Sequence, residues 1–218
     1  MQTAAELFVR CLENEGVEYI FGIPGEENLD VIDALHDSSL QFITVRHEQG
    51  AAFMADVYGR LTGRAGVCLA TLGPGATNLV TGFADAIMDA APIIGIAGQG
   101  ATTRMHKESH QVLDLVSLFR PISKYAVEIL EPDIVPEIVR KAFKVAEAEQ
   151  PGGAFISFPE NIAEMQLSSE SKPLKVQSAM SPVPPEEKVV EASEVISKAE
   201  FPIIMAGNGV IRNHACQS

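Results

Sequence analysis

The sequence predicts an α/β protein: an open parallel sheet with helices on both faces, followed by the start of a second α/β domain. Three observations predict it. Short β-rich runs alternate with longer segments whose apolar residues recur at three- and four-residue spacing. Several of the short runs, Pro92-Ile-Ile-Gly-Ile-Ala97 above all, are apolar throughout, as strands buried on both faces must be. Glycine-rich turns then follow the strand ends, where open α/β sheets bind ligands.

Taken in order, the opening MQTAAELFVR carries Glu6 and Arg10 inside its first apolar stretch and has no basic region ahead of it, so it reads as an amphipathic helix and not a signal peptide. Strands are expected at Glu18–Ile23, Gln41–Arg46, Gly66–Thr71, Pro92–Ala97, Lys124–Ile129 and Ala154–Pro159. Helices are expected at Glu27–Asp37, Glu48–Thr62, Ala76–Ala90 and Pro136–Ala148. Strand, helix, strand repeated in this way needs crossover connections, hence a parallel sheet covered on both sides. From Ile162 to about Lys188 the composition shifts to Ser, Pro, Lys and Glu without periodicity, the mark of a linker. Beyond it come a helix at about Val189–Ala199, the apolar run Pro202–Ala206 as a strand, and the turn Gly207-Asn208-Gly209. The expected organisation is a first domain over 1–165, a linker over 166–188, and over 189–218 the opening of a further α/β domain.

Composition narrows the function. Of the 218 residues 46% are apolar and 21% charged, which allows a buried core and excludes intrinsic disorder. The 16 basic and 29 acidic residues give a net charge of −13, and a chain so acidic repels the phosphate backbone that dominates nucleic acid affinity. No apolar run approaches the roughly 18 residues of a membrane span. Cys11, Cys68 and Cys216 are too few and scattered for a disulfide framework or a zinc site and point to a reducing cytoplasm.

Chemistry is sought at the strand ends. Turns occur at Phe21-Gly22-Ile23-Pro24-Gly25, Gly73-Pro74-Gly75-Ala76-Thr77-Asn78 and Gly98-Gln99-Gly100; each alone is more often tight-turn chemistry than a ligand contact. None is followed by the Gly-Lys-Ser/Thr of a P-loop and none has dinucleotide spacing, so nucleotide hydrolysis drops out. Arg46-His47-Glu48-Gln49 puts a carboxylate at the mouth of the sheet, where Glu48 could simply complement the dipole of the next helix. The zinc-helix pattern fails, because Ala51 stands at the second histidine position. His106 and His110 lie four apart in a charged, loop-like stretch without an obvious third ligand, and no G-x-S-x-G elbow supports a hydrolase. No metal ligands are assigned.

Taken together, Gly-Ile-Pro-Gly at 22–25, Arg-His-Glu-Gln at 46–49, Tyr-Gly-Arg-Leu-Thr-Gly at 58–63, Gly-Pro-Gly-Ala-Thr-Asn at 73–78 and Gly-Gln at 98–99 resemble, in order and spacing, the pyrimidine-binding domain of thiamine diphosphate enzymes. Within that superfamily the likeness is closest to the acetolactate synthase large subunit and covers about residues 3–165. Ala206-Gly-Asn-Gly-Val210 is similar to the first strand and turn of that family's central domain.

The resemblance implies a catalytic role for Glu48, which would hydrogen-bond the N1′ atom of the cofactor's aminopyrimidine; a carboxyl held in apolar surroundings can lend its proton there and promote the imino tautomer. It further implies that Pro24 and Gly25 lie close to the cofactor, that Thr71, Pro74 and Asn78 line the pyrimidine pocket, and that Gln99, Gln111 and Lys124 face the substrate. Gln111 and Lys124 are also readable as plain surface residues. The implied activity is condensation of two 2-oxo acids, pyruvate among them, with loss of CO₂, as in branched-chain amino acid biosynthesis. Mg²⁺ and the diphosphate would be held by a C-terminal domain carrying Gly-Asp-Gly, a motif these 218 residues lack, so the chain by itself is expected to be inactive. FAD, where the family uses it, is held mainly by the central domain. The active sites of the family form between subunits, which implies a homodimer or homotetramer in the cytoplasm. Glu26 stands where biosynthetic synthases carry a second glycine after Pro-Gly, a feature that leaves open the pyruvate oxidase, lyase and decarboxylase branches. Two further alternatives are a pyrimidine-domain subunit of a split 2-oxo acid decarboxylase and a non-catalytic module that keeps the fold alone.

Overall fold

The computed structural model describes residues 2–168, 170–177, 183–213 and 215. Cys216 lies outside them. The chain divides into two units, Met1–Ser178 and Ala179–Ser218.

In chain order the first unit comprises α1 (Ala4–Asn14), β1 (Tyr19–Gly22), α2 (Leu29–His36), β2 (Gln41–Thr44), α3 (Glu48–Thr62), β3 (Gly66–Ala70), α4 (Pro74–Asn78), α5 (Val80–Met88), β4 (Ile93–Gln99), α6 (Leu115–Phe119), β5 (Tyr125–Glu128), α7 (Val135–Glu147), β6 (Gly153–Pro159) and α8 (Glu160–Ala163). All six strands join one parallel sheet in the order β2-β1-β3-β4-β6-β5. The expected sheet, covered on both faces, is therefore present, with each strand within two residues of its expected bounds. The helix expected at Ala76–Ala90 is broken at Leu79 into α4 and α5. The short α6 went unread because five residues show too little periodicity to separate a helix from a loop.

Burial follows the apolar pattern. Every residue of β3, β4 and β6 is buried, so these strands carry helices on both sides. On one face α1, α2 and α7 bury Phe8, Leu12, Val31 and Phe143 against Ile20, Leu69 and Phe158. The capping box of α1 sets its start: Thr3 accepts from the Glu6 amide at 3.2 Å, and the Glu6 carboxylate accepts from the Thr3 amide at 2.9 Å. On the other face α3 and α5 bury Ala51, Ala52, Ala55 and Phe83. There Phe119 stacks on Phe155 with ring centroids 3.7 Å apart. Each large side chain so buried contributes about 1.5–3 kcal/mol.

Two arginines lock helices to this frame. Arg60 of α3 reaches the buried Asp56 through Nη2 at 2.7 Å and Asp85 of α5 at 2.8 Å, and also contacts Asp89. Arg140 of α7 pairs with Glu15, whose side chain is only 3% exposed. Burial, aided by Glu147 and opposed by Arg140, pushes the Glu15 carboxyl up to about 7. Between about pH 4.5 and pH 7 the folded protein therefore holds a proton on Glu15 that the unfolded chain, titrating near 4.5, has already released. Stability contributed by this group is full below pH 4.5, declines as pH rises toward 7 and is level above it, a loss of up to about 3 kcal/mol. Urea unfolding at pH 5 and pH 8 checks this: the wild-type chain loses stability relative to Glu15→Gln, and a pH-independent difference between the two contradicts it.

Cys11 and Cys68 are free and buried, which pushes both thiols up to about 12. Among the described residues no helix is long and apolar enough to cross a membrane. Part of the segment expected as a linker is tied to the first unit. Gln166 bridges Thr3, the Leu167 amide donates to Gln2, and Asn14 Nδ2 donates to the carbonyl of Leu174 at 2.9 Å.

The second unit holds α9 (Glu186–Lys198) and α10 (Asn208–Arg212). Pro202–Ala206, expected as a strand, has no regular structure. A strand exists only through hydrogen bonds to a neighbour, and the described residues of this unit offer none. Gly207 caps α10, so the expected turn is the start of a helix.

Candidate active site

Strand order locates the mouth of the sheet. From β1 the chain crosses to β2 on one side, and from α3 it returns to β3 on the other, so the direction of winding reverses between β1 and β3. Crevices for ligands open at such a reversal, beyond the carboxyl ends of the strands. The turn after β1 carries Pro24 and Gly25, the turn after β3 carries Thr71 and Pro74, and Glu48 opens α3 after β2. The fold thus brings to one crevice residues that lie 50 positions apart in the chain.

Glu48 is 9% exposed and is the first residue of α3. His47 caps the helix, its Nδ1 accepting from the Gln49 amide at 3.2 Å, and the helix N-terminus stabilises the carboxylate that follows. Asn78 Nδ2 donates to Glu48 Oε2 at 2.9 Å. Oε1 has no hydrogen-bond partner among the described residues and lies 3.5 Å from where a Cβ on Gly75 would stand. With Oε2 committed as an acceptor, Oε1 is the oxygen left to meet a ligand, and it faces the space that Gly75 leaves free.

Thr71 joins the two turns. A Cβ on Gly25 would lie 2.5 Å from Thr71 Cβ, and one on Gly75 would lie 2.9 Å from Thr71 Cγ2, so both turns need glycine for their close approach. The Thr71 hydroxyl donates to Glu27 Oε2 at 2.9 Å. Glu27 is only 8% exposed, whereas its neighbour Glu26 is exposed. Asn28 braces the turn, its Oδ1 accepting from the Gly25 amide at 2.9 Å. Sequence reasoning missed Glu27 and Asn28. In Pro-Gly-Glu-Glu-Asn the two glutamates look alike, and only the short 3-10 turn at Glu26–Asn28 decides which one points inward.

The three expected substrate-facing residues divide. Gln111 is exposed and its backbone rests against Gly73, so the loop after β4 does bring it to the mouth. Gln99, by contrast, is 1% exposed with both ends of its amide committed to backbone: Nε2 donates to Leu113 at 2.8 Å and Oε1 accepts from Gly100 at 3.0 Å. It closes the loop that carries Gln111. Lys124 is placed away from the crevice. It precedes β5 at the amino edge of the parallel sheet, opposite the mouth, where Nζ donates to the carbonyl of Gln150 at 3.1 Å and burial lowers its pKa. His106 and His110 are exposed in the loop. Among the described residues no group of three or more His, Cys, Asp or Glu is arranged to hold a metal ion.

Residues 2–118 match the family described as thiamine pyrophosphate enzyme, N-terminal TPP binding domain. The chain belongs to the thiamine pyrophosphate enzymes. The matched residues lie within its first unit, whose six-stranded parallel sheet is consistent with the N-terminal domain of that family. The chain is 39% identical over 218 residues to a probable acetolactate synthase large subunit of Methanocaldococcus jannaschii, covering 98% of this chain and 37% of the relative. It is 41% identical over 203 residues to the catabolic acetolactate synthase of Raoultella terrigena, covering 93% and 36%. Identity to an acetolactate synthase of Bacillus subtilis is 40% over 203 residues, covering 93% and 35%. The chain thus spans little more than a third of the length of the curated relatives it matches.

Proposed function

We propose that this chain forms the pyrimidine-binding part of a thiamine diphosphate-dependent enzyme that condenses two 2-oxo acids with loss of one CO₂, as in acetolactate synthases. The observation that carries the reading is Glu48 at the crevice, buried, with Oε2 held by Asn78 and Oε1 open over Gly75. The open oxygen and the two glycine turns suit a flat heteroaromatic ring with a basic nitrogen. Thiamine diphosphate, when bound, supplies the carbanion chemistry that splits and rejoins 2-oxo acids. Glu48 holds and returns a proton at Oε1. Asn78 holds Oε2 and leaves Oε1 to meet the ring. Pro24 and Gly25 from one side and Thr71 and Pro74 from the other bound the ring, and Gln111 faces the substrate side.

We assign Mg²⁺ and the diphosphate to a further domain of the full-length protein, as the family resemblance implies, and FAD to its central domain. The relatives align through the tail as well as the first unit, which supports one long polypeptide over a separate pyrimidine-domain subunit. A second copy of the chain suits the apolar stripe of α3, where Phe53, Met54, Val57 and Leu61 are exposed in the turns after Glu48. We assign the active enzyme to a homodimer or a tetramer built from it, in the cytoplasm.

The test uses the polypeptide as its own cells make it, supplied with thiamine diphosphate, Mg²⁺ and pyruvate. The expected result is one CO₂ and one five-carbon acetolactate for every two pyruvates consumed. One CO₂ per pyruvate with free acetaldehyde would assign the protein to the decarboxylase branch instead. Absence of both turnover and cofactor binding would overturn the reading.

A further inference from the structure

The loop that carries Gln111 leaves β4 at Gln99, where the β4–β6 ladder ends with Gln99 paired to Pro159. The amides that follow have no strand partner and need acceptors from elsewhere. Side chains supply them. Gln99 Oε1 accepts from the Gly100 amide, Glu160 Oε1 from Ala101 at 3.0 Å, and Asn161 Oδ1 from Thr102 at 2.8 Å. Asn161 also donates through Nδ2 to the Thr102 hydroxyl at 2.9 Å, so it grips one residue at two points. Glu160 Oε1 takes Arg104 Nη1 as a further donor at 3.1 Å. Both anchors belong to α8, whose Ile162 and Ala163 are buried in the same core as α1.

The far end of the loop is fixed by the bond from Gln99 Nε2 to the Leu113 carbonyl. Between these attachments the chain passes over the turn after β3. A Cβ on Gly73 would stand 2.4 Å from the Gln111 carbonyl oxygen and 2.9 Å from Gln111 Cβ. Gln111 has a φ of +56°, in the left-handed region that is costly for a residue with a side chain. Such a conformation persists only where the surroundings over-determine it. Here the attachments at the two ends of the loop supply that constraint, and releasing one of them frees Gln111 to leave the turn.

We propose that Asn161 is a positioning residue for substrate binding, which by holding Thr102 fixes the loop that sets Gln111 against the β3 turn; this rests on the reading above that Gln111 faces the substrate. The side-chain hydrogen bonds of Asn161 run to Thr102 and not to the turns that bound the ring, so substrate binding responds to its loss and cofactor binding does not.

The test uses the full-length protein, with pyruvate kinetics and a thiamine diphosphate titration for each variant. Asn161→Leu raises KM for pyruvate about five- to tenfold, the size of one hydrogen bond. Its kcat stays within about threefold of wild type and its cofactor Kd within about twofold, as for lost binding shared by ground and transition states. Asn161→Asp keeps KM within about twofold, because one oxygen still accepts the Thr102 amide and the other accepts the hydroxyl proton. Gln111→Ala raises KM by about the same factor as Asn161→Leu, and Asn161→Leu adds nothing in that background. Thr102→Val, which removes only the hydroxyl, raises KM about threefold and decides the matter if Asn161→Leu does not fold.

Wild-type KM in Asn161→Leu, an equal loss in Asn161→Asp, or losses that multiply in the double variant would each overturn the role of Asn161. So would a fall in kcat or cofactor affinity as large as the rise in KM, the mark of a general distortion of the site, or wild-type KM in Thr102→Val. If Glu48→Gln lowers turnover while Gln111→Ala leaves KM unchanged, the thiamine reading stands and this inference falls. A wild-type protein that consumes no pyruvate removes both.

Discussion

Glu48→Gln in the full-length enzyme lowers kcat by about 1,000-fold, in the middle of the range for loss of a positioned general acid and base. The glutamine has the shape of the glutamate and keeps an oxygen for the Asn78 amide, which donates to Oε2 at 2.9 Å in the native site. What it lacks is a proton that can leave from the position of Oε1. Cofactor affinity therefore falls far less than turnover. Steady-state kinetics with pyruvate, together with a thiamine diphosphate titration, separates the two effects, and a kcat near the wild-type value would sink the proposed mechanism.

Gly59→Ala destabilises the protein by about 2 kcal/mol. Two effects compete at this position. Alanine in place of glycine inside a helix is worth about 1 kcal/mol in favour of the fold. Against it, the new Cβ would stand 2.3 Å from the Pro92 carbonyl oxygen, a backbone atom next to β4 that cannot rotate away. Overpacking against such an atom costs about 1–3 kcal/mol and sits at the upper end where nothing can yield, so the clash wins. The helix it displaces is α3, which begins with Glu48, and turnover falls along with stability. Gly50 in the same helix provides the control. Nothing lies within 4 Å of its would-be Cβ, and Gly50→Ala is at least as stable as wild type. Urea unfolding of the two variants decides the matter; a Gly59→Ala protein as stable as Gly50→Ala would show that α3 is not held against the sheet at this contact.

Much of the fold was legible because the signals that specify it are local. The all-apolar run at Pro92–Ala97 announces a strand covered on both faces, and all of Ile93–Gln99 is indeed buried. The periodicity of Glu48–Thr62 needs no knowledge of its surroundings, and α3 occupies those residues. Glu48 was readable for the same reason, since a strand end followed at once by a helix start puts a side chain at the mouth of a parallel sheet. Pro202–Ala206 shows the limit. Its apolar residues meet the local requirement for a strand, but a strand also needs a partner, and its own unit contains none among the described residues.

At the site the division is sharper. The sequence by itself determined the elements, the helix start that carries Glu48 and the glycine turns that can approach a ligand, because each depends on residues within a few positions of one another. Only the tertiary structure decided that the crevice opens between β1 and β3, that Lys124 falls on the opposite edge, that the Gln99 amide closes a loop, and that Glu27, not Glu26, turns inward to hold Thr71. Each of these is set by contacts between segments far apart in the chain, and strand order, burial and the choice of hydrogen-bond partner are properties of the packed whole that no local pattern contains.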